Sequence, residues 1–96
     1  MSARLITTKG DVVLLELDNN EILTDEMLKD FVGGPISVVS MGDRDVMVVN
    51  EDAVSSMLPI NHTAGRSFPN YNVRGDVVIC YMGQLDPKWK KYFKNK

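Results

Sequence analysis

His62 is the only side chain in the sequence whose ordinary pKa lies near neutrality, and it stands in a polar stretch with Asn61, Arg66, Asn70 and Arg74. Two chemistries fit those residue types. An imidazole can act as a general base once a carboxylate orients it, which would make a small hydrolase. Two guanidiniums can clamp a phosphate by charge-assisted hydrogen bonds, with the amides and the imidazole completing the shell. The base reading lacks its third member, because no Asp or Glu lies within eight residues of His62, and Asp52 or Asp76 would have to return to it in space. The clamp reading asks less. It makes Asn61, His62, Arg66, Asn70 and Arg74 a candidate binding surface for a nucleotide-like molecule, set against a plain surface histidine in a loop.

The remaining reactive types point to structure. Cys80 is the single cysteine and lies inside an almost continuous apolar run, where a thiol is a small buried hydrophobe with a raised pKa. One cysteine and one histidine exclude an internal disulfide and leave too few soft ligands for a structural zinc. Asp43, Asp45, Glu51 and Asp52 lack the spacing of a calcium loop and read as a solvated hairpin tip. Gly33-Gly34 follows a helix, whereas a phosphate cradle precedes one, so the pair reads as a C-cap. No cofactor or metal is expected.

The last eleven residues carry a different pattern. Trp89, Tyr92 and Phe93 fall on one side of a short helix, with Lys88, Lys90, Lys91 and Lys94 around the rest. Such a segment could stack on single-stranded nucleic acid or lie on an anionic membrane. Aromatics on one face of a terminal helix more often dock on the domain's own core or on a second subunit, which makes a homo-oligomer one expected state.

The elements that must position these residues follow from period and punctuation. Residues 4–8 and 12–17 read as a hairpin turning on Lys9-Gly10-Asp11, and the second strand, apolar on both faces, is expected to be covered on both sides. Asp18-Asn19-Asn20 breaks it. Thr24 caps a helix that buries Met27, Leu28, Phe31 and Val32 and ends at Gly33-Gly34-Pro35. Residues 36–41 and 46–50 form a second hairpin, and Asp52 is expected to cap a brief helix over 53–58 that buries Val54, Met57 and Leu58. Residues 60–73 have no sustained period and read as a loop; residues 76–82 read as a central strand. The expected fold is α+β: a mostly antiparallel sheet of about five strands, one main helix on one face and a short C-terminal helix. Residues 1–85 make a single domain, and residues 86–96 a basic aromatic helix or tail.

Composition bounds the class. A chain of 96 residues, 44% hydrophobic and 25% charged, suits one globular core with little stability to spare. The net charge of −2 divides unevenly: residues 86–96 carry five Lys against one Asp, or +4, and residues 1–85 carry six Lys+Arg against twelve Asp+Glu, or −6. An acidic body argues against nucleic-acid binding except through the tail. The N-terminal residues lack the apolar run of a signal peptide, and no stretch has the length of a spanning helix, so a cytoplasmic protein without a membrane partner is expected.

One ordered set of motifs carries a resemblance. The chain places Asp18-Asn19 after a paired hydrophobic strand, then Phe31-Val32-Gly33-Gly34, Ile36-Ser37-Val38-Val39, Val48-Val49-Asn50-Glu51, Leu58-Pro59-Ile60-Asn61 and Arg74-Gly75-Asp76-Val77-Val78. Over roughly residues 12–80 this resembles a family of small proteins borne by phages and plasmids, catalogued as domain of unknown function 3846. The chain departs from that pattern in its extra N-terminal strand and its Lys-aromatic tail. The resemblance implies an architecture, a mobile genetic element and a host bacterial cytoplasm; it transfers no catalytic residue. The resulting expectation is a non-enzymatic binding protein that occupies a host protein, in its concrete form an antagonist of a host defence system. A sponge for a nucleotide-like signal and a hydrolase using His62 are the alternatives.

Overall fold

In the computed structural model, residues 3–17, 21–42, 44–68 and 72–94 are described. The Asp18-Asn19-Asn20 break, Asp43 and Asn70 lie outside the described residues.

Thr7, Gly10 and Asp11 build the first turn: Gly10 takes φ 95°, its N–H donates to the Thr7 carbonyl, and the Thr7 N–H donates to the Asp11 carbonyl. The flanking β-branched and aliphatic residues form β1 (Ala3–Ile6) and β2 (Val12–Leu15). Thr24 Oγ1 accepts from the Met27 N–H, two carboxylates fill the first turn of α1 (Asp25–Val32), and Gly33 closes it in the left-handed conformation at φ 81°. β3 (Ile36–Ser40) and β4 (Asp45–Asn50) make the second hairpin. After α2 (His62–Ser67) come β5 (Val77–Tyr81), a single 3-10 turn (Met82–Gln84) and α3 (Pro87–Lys94).

The five strands run β2-β1-β5-β4-β3, every neighbouring pair antiparallel, so the apolar run at Val77–Tyr81 is the central strand. Cross-strand register lines up Val13, Leu5, Val78, Val48 and Val38 in one row on the face that α1 covers. There Leu23, Leu28, Val32, Cys80 and Leu85 complete the larger core. The opposite face buries Ile6, Met47, Val77 and Ile79 against Ala64 and Val73. The α+β class with a main helix and a short C-terminal helix is thus observed.

Four local expectations are corrected. β2 is an edge strand: Val12, Val13 and Leu14 are 51%, 45% and 59% exposed, so their apolar character does not mean cover on both sides. Met27 is exposed, because only Leu28, Phe31 and Val32 of the α1 stripe face the sheet. Residues 51–57 form successive turns and no helix. Their bonds mix spans of three, four and five residues, from Ala53 N–H to Asn50 O, Ser56 N–H to Asp52 O, and Leu58 N–H to Ala53 O. Ser55 Oγ also donates to the Asp52 carbonyl, the local competition that weakens helices. Residues 60–73, expected to be loop, contain α2. Among its described side chains it buries only Ala64, and one buried position leaves no helical period in the sequence.

Candidate functional site

Asn61 organises the polar segment. Its side chain is fully buried; Nδ2 donates to the carbonyls of Ile6 and Gly75 at 2.9 Å each, and Oδ1 accepts from the Ala64 N–H at 3.0 Å. One amide therefore caps α2 and ties it to β1 and to the turn before β5. Both of its N–H donors are spent on the fold, which makes it a structural pin.

His62 and Arg66 are exposed one turn apart on α2 and line an open depression of about 380 Å³ with Ile60, Asn61, Gly65, Asn72 and Val73. No carboxylate lines it. Asp76 instead accepts from the Thr8 N–H at 3.0 Å. The pair can meet an anion, and Asn72, which sequence reasoning passed over, adds an amide at the rim.

Arg74 does not join them. It is half-buried and its Nη1 donates to the Leu58 carbonyl at 2.9 Å. It borders a second, more apolar depression of about 240 Å³ with Val39, Met47, Val49, Ala53 and Val54. The structure thus brings His62 and Arg66 together, places Asn61 beneath them as a structural pin, and assigns Arg74 to the neighbouring 50–60 segment.

That segment exposes apolar side chains and is hydrogen-bonded to the body at both ends. Asn50, also buried, donates from Nδ2 to the Val32 carbonyl and accepts from the Asp52 N–H at 2.8 Å; a side chain at Gly34 would strike it. At the far end Arg74 holds Leu58, the Gly75 N–H donates to the Pro59 carbonyl at 2.8 Å, and the Asn61 N–H donates to the Val73 carbonyl at 2.8 Å. Gly75, at φ 77°, lets Leu58 approach so closely that a Cβ there would stand 2.8 Å from Leu58 Cδ1. Between these anchors Val54 is 73% exposed, Met57 is 82% exposed and Ile60 is 49% exposed. Met57 is the one described non-glycine residue at positive φ, 52°, a conformation costing about 1 kcal/mol or more. Glu51 and Asp52 are exposed in the same run of turns.

The C-terminal helix meets the N-terminus of α1. Trp89 Nε1 donates to Asp25 Oδ1 at 2.9 Å, Lys88 Nζ pairs with Asp25 Oδ2, and the Trp89 ring packs on the larger core. Burial pushes the Asp25 carboxyl up, but the hydrogen bonds from Lys88 and Trp89 outweigh it and hold the group below its ordinary value. The same bond raises Lys88. Lys90 and Lys91 are exposed; the side chains of Tyr92 and Phe93 lie outside the described residues. Burial, with the Asp45 carboxylate adding to it, pushes the Cys80 thiol up to about 12. Among the described residues no group of three or more His, Cys, Asp or Glu could hold a metal ion, and no helix is long and apolar enough to cross a membrane.

No family model, curated protein or solved structure matches the chain.

Proposed function

We propose that this is a non-enzymatic binding protein of a mobile genetic element that works by occupying a host protein, in concrete form a component of a host defence system. The observation that carries the reading is the braced projection that exposes Val54 and Met57. Met57 closes these turns as a left-handed C-cap, with the Leu58 N–H on the Ala53 carbonyl and the Met57 N–H on the Val54 carbonyl, and the cap leaves two large apolar side chains pre-ordered in water, as the anchors of protein interfaces are. Glu51 and Asp52, exposed in the same turns, make the complementary partner an apolar pocket rimmed by Lys or Arg. The genomic setting comes from the family resemblance, and the host-defence target from that setting alone.

The test is capture from a lysate of the bacterial host, reconstitution with the purified captured protein, and comparison with Val54→Asp and Met57→Asp. Both positions are exposed, so the variants should fold. A central anchor is worth about 2 kcal/mol or more, so affinity should fall roughly thirty-fold or more. Met57→Gly relieves the backbone strain and should keep or raise the melting temperature while still weakening binding. Undiminished binding by the Asp variants would overturn the reading. A second reading, sequestration of a nucleotide-like molecule, is favoured by the pairing of His62 and Arg66 at one depression; a stoichiometric small molecule extracted from the purified protein would support it.

A further inference from the structure

We infer that the outer edge of β2 pairs with β2 of a second copy of this chain, joining two sheets into one of ten strands across a two-fold axis. Among the described residues no strand covers this edge. The Thr7 N–H to Asp11 carbonyl bond fixes the alternation of the hairpin: Val13 and Leu15 bond inward to β1, and Val12 and Leu14 turn their N–H and C=O groups outward. The strand reads Val-Val-Leu-Leu, with none of the Lys, Pro or bulge devices that keep an edge from pairing. Its side chains are exposed on both faces, Val12 and Leu14 on one and Val13 on the other.

The strand is self-complementary in one antiparallel register. With Val13 opposite Val13 of the second copy, Val12 falls opposite Leu14 and Leu14 opposite Val12, which are the residues with outward backbone groups, giving about four hydrogen bonds. Side chains then match apolar to apolar, and the row Val38, Val48, Val78, Leu5, Val13 continues into its own image on the α1 side. Beyond this apolar stretch Glu16 lands opposite Gly10, between Lys9 and Asp11 of the other copy, so the charges at the ends of the seam offset one another. Sliding by two residues one way sets Glu16 against Val12; sliding the other way sets Gly10 against Leu14. The central register alone gives Val12, Val13 and Leu14 each an apolar partner, and a second copy of the strand supplies all three at once.

Sedimentation of the full chain at roughly 100 µM, well above a micromolar Kd, should show a dimer that dissociates on dilution. Val13→Lys places two like charges face to face on the axis and should give a monomer with an unchanged circular dichroism spectrum. Val13→Cys should cross-link to its own copy under mild oxidation, because a non-hydrogen-bonded pair brings its side chains closest. Val12→Cys, opposite Leu14, should cross-link at least ten times more slowly. Cys80 is buried and does not compete. A wild-type monomer at that concentration, a dimer that survives Val13→Lys, or equal cross-linking at the two positions would overturn the inference; the first would leave the edge to a foreign strand.

Discussion

Asn61 and Asn50 show how a single amide can decide a local structure. Each is buried, and each uses its donor and its acceptor on backbone groups from different segments. Removing the Asn61 amide leaves the Ile6 and Gly75 carbonyls without that donor and uncaps α2, so Asn61→Ala should lower stability by on the order of 3 kcal/mol. Chemical denaturation measures it, and a loss below about 1 kcal/mol would show that water replaces the amide. In the sequence, Asn61 beside His62, Arg66, Asn70 and Arg74 looks like a polar ligand shell. The same residue type serves as a helix cap, and only the return of residues 6 and 75 to it in space separates the two roles. Arg74 was illegible for the same reason, since its partner is a backbone carbonyl sixteen residues away.

At the level of elements, the sequence was informative wherever a core face imposed a period. The two hairpins, the Thr24-capped helix and the central strand all sit where alternation, caps and β-branched runs put them. Where packing rests on one or two side chains the period vanishes: Ala64 is the one buried apolar side chain among the described residues of α2, and Ala53 alone is buried in the turns that Val54 and Met57 leave for water. Apolar residues at 12–14 were misplaced because an edge that is free in the single chain has the same composition as a covered strand. The C-terminal helix makes a test at this scale. The Asp25 carboxyl is held below its ordinary 3.8 by bonds formed only when α3 docks, so the folded state favours its charged form. That contribution is complete above the unfolded value and is lost as pH falls through the folded one. Asp25→Asn should therefore be less stable than the parent near neutrality and should flatten the decline of stability below about pH 4. Parallel curves for the two proteins through that range would show that Lys88 and Trp89 do not hold the carboxyl in solution.

The whole molecule carries its charge unevenly, an acidic body against a basic helix whose first turn is tied to Asp25 while Lys90 and Lys91 stay exposed. That separation turns the choice of partner into a question of sign. A protein pocket rimmed by Lys or Arg would be drawn to the acidic body, and the exposed lysines would oppose its approach. Lys90→Glu with Lys91→Glu moves the net charge from −2 to −6 without touching the projection at Val54 and Met57. Long-range charge acts mainly on encounter, so the double variant should associate with the captured partner about ten-fold faster at low salt and dissociate at an unchanged rate. The gain should disappear as added salt shortens the screening length below about 5 Å. The opposite sign, slower association or lost affinity, would mean that the basic helix itself meets an anionic partner. In that case Trp89, Lys90 and Lys91 would be the surface to map, and Val54 and Met57 would be ordinary exposed side chains on a capped turn.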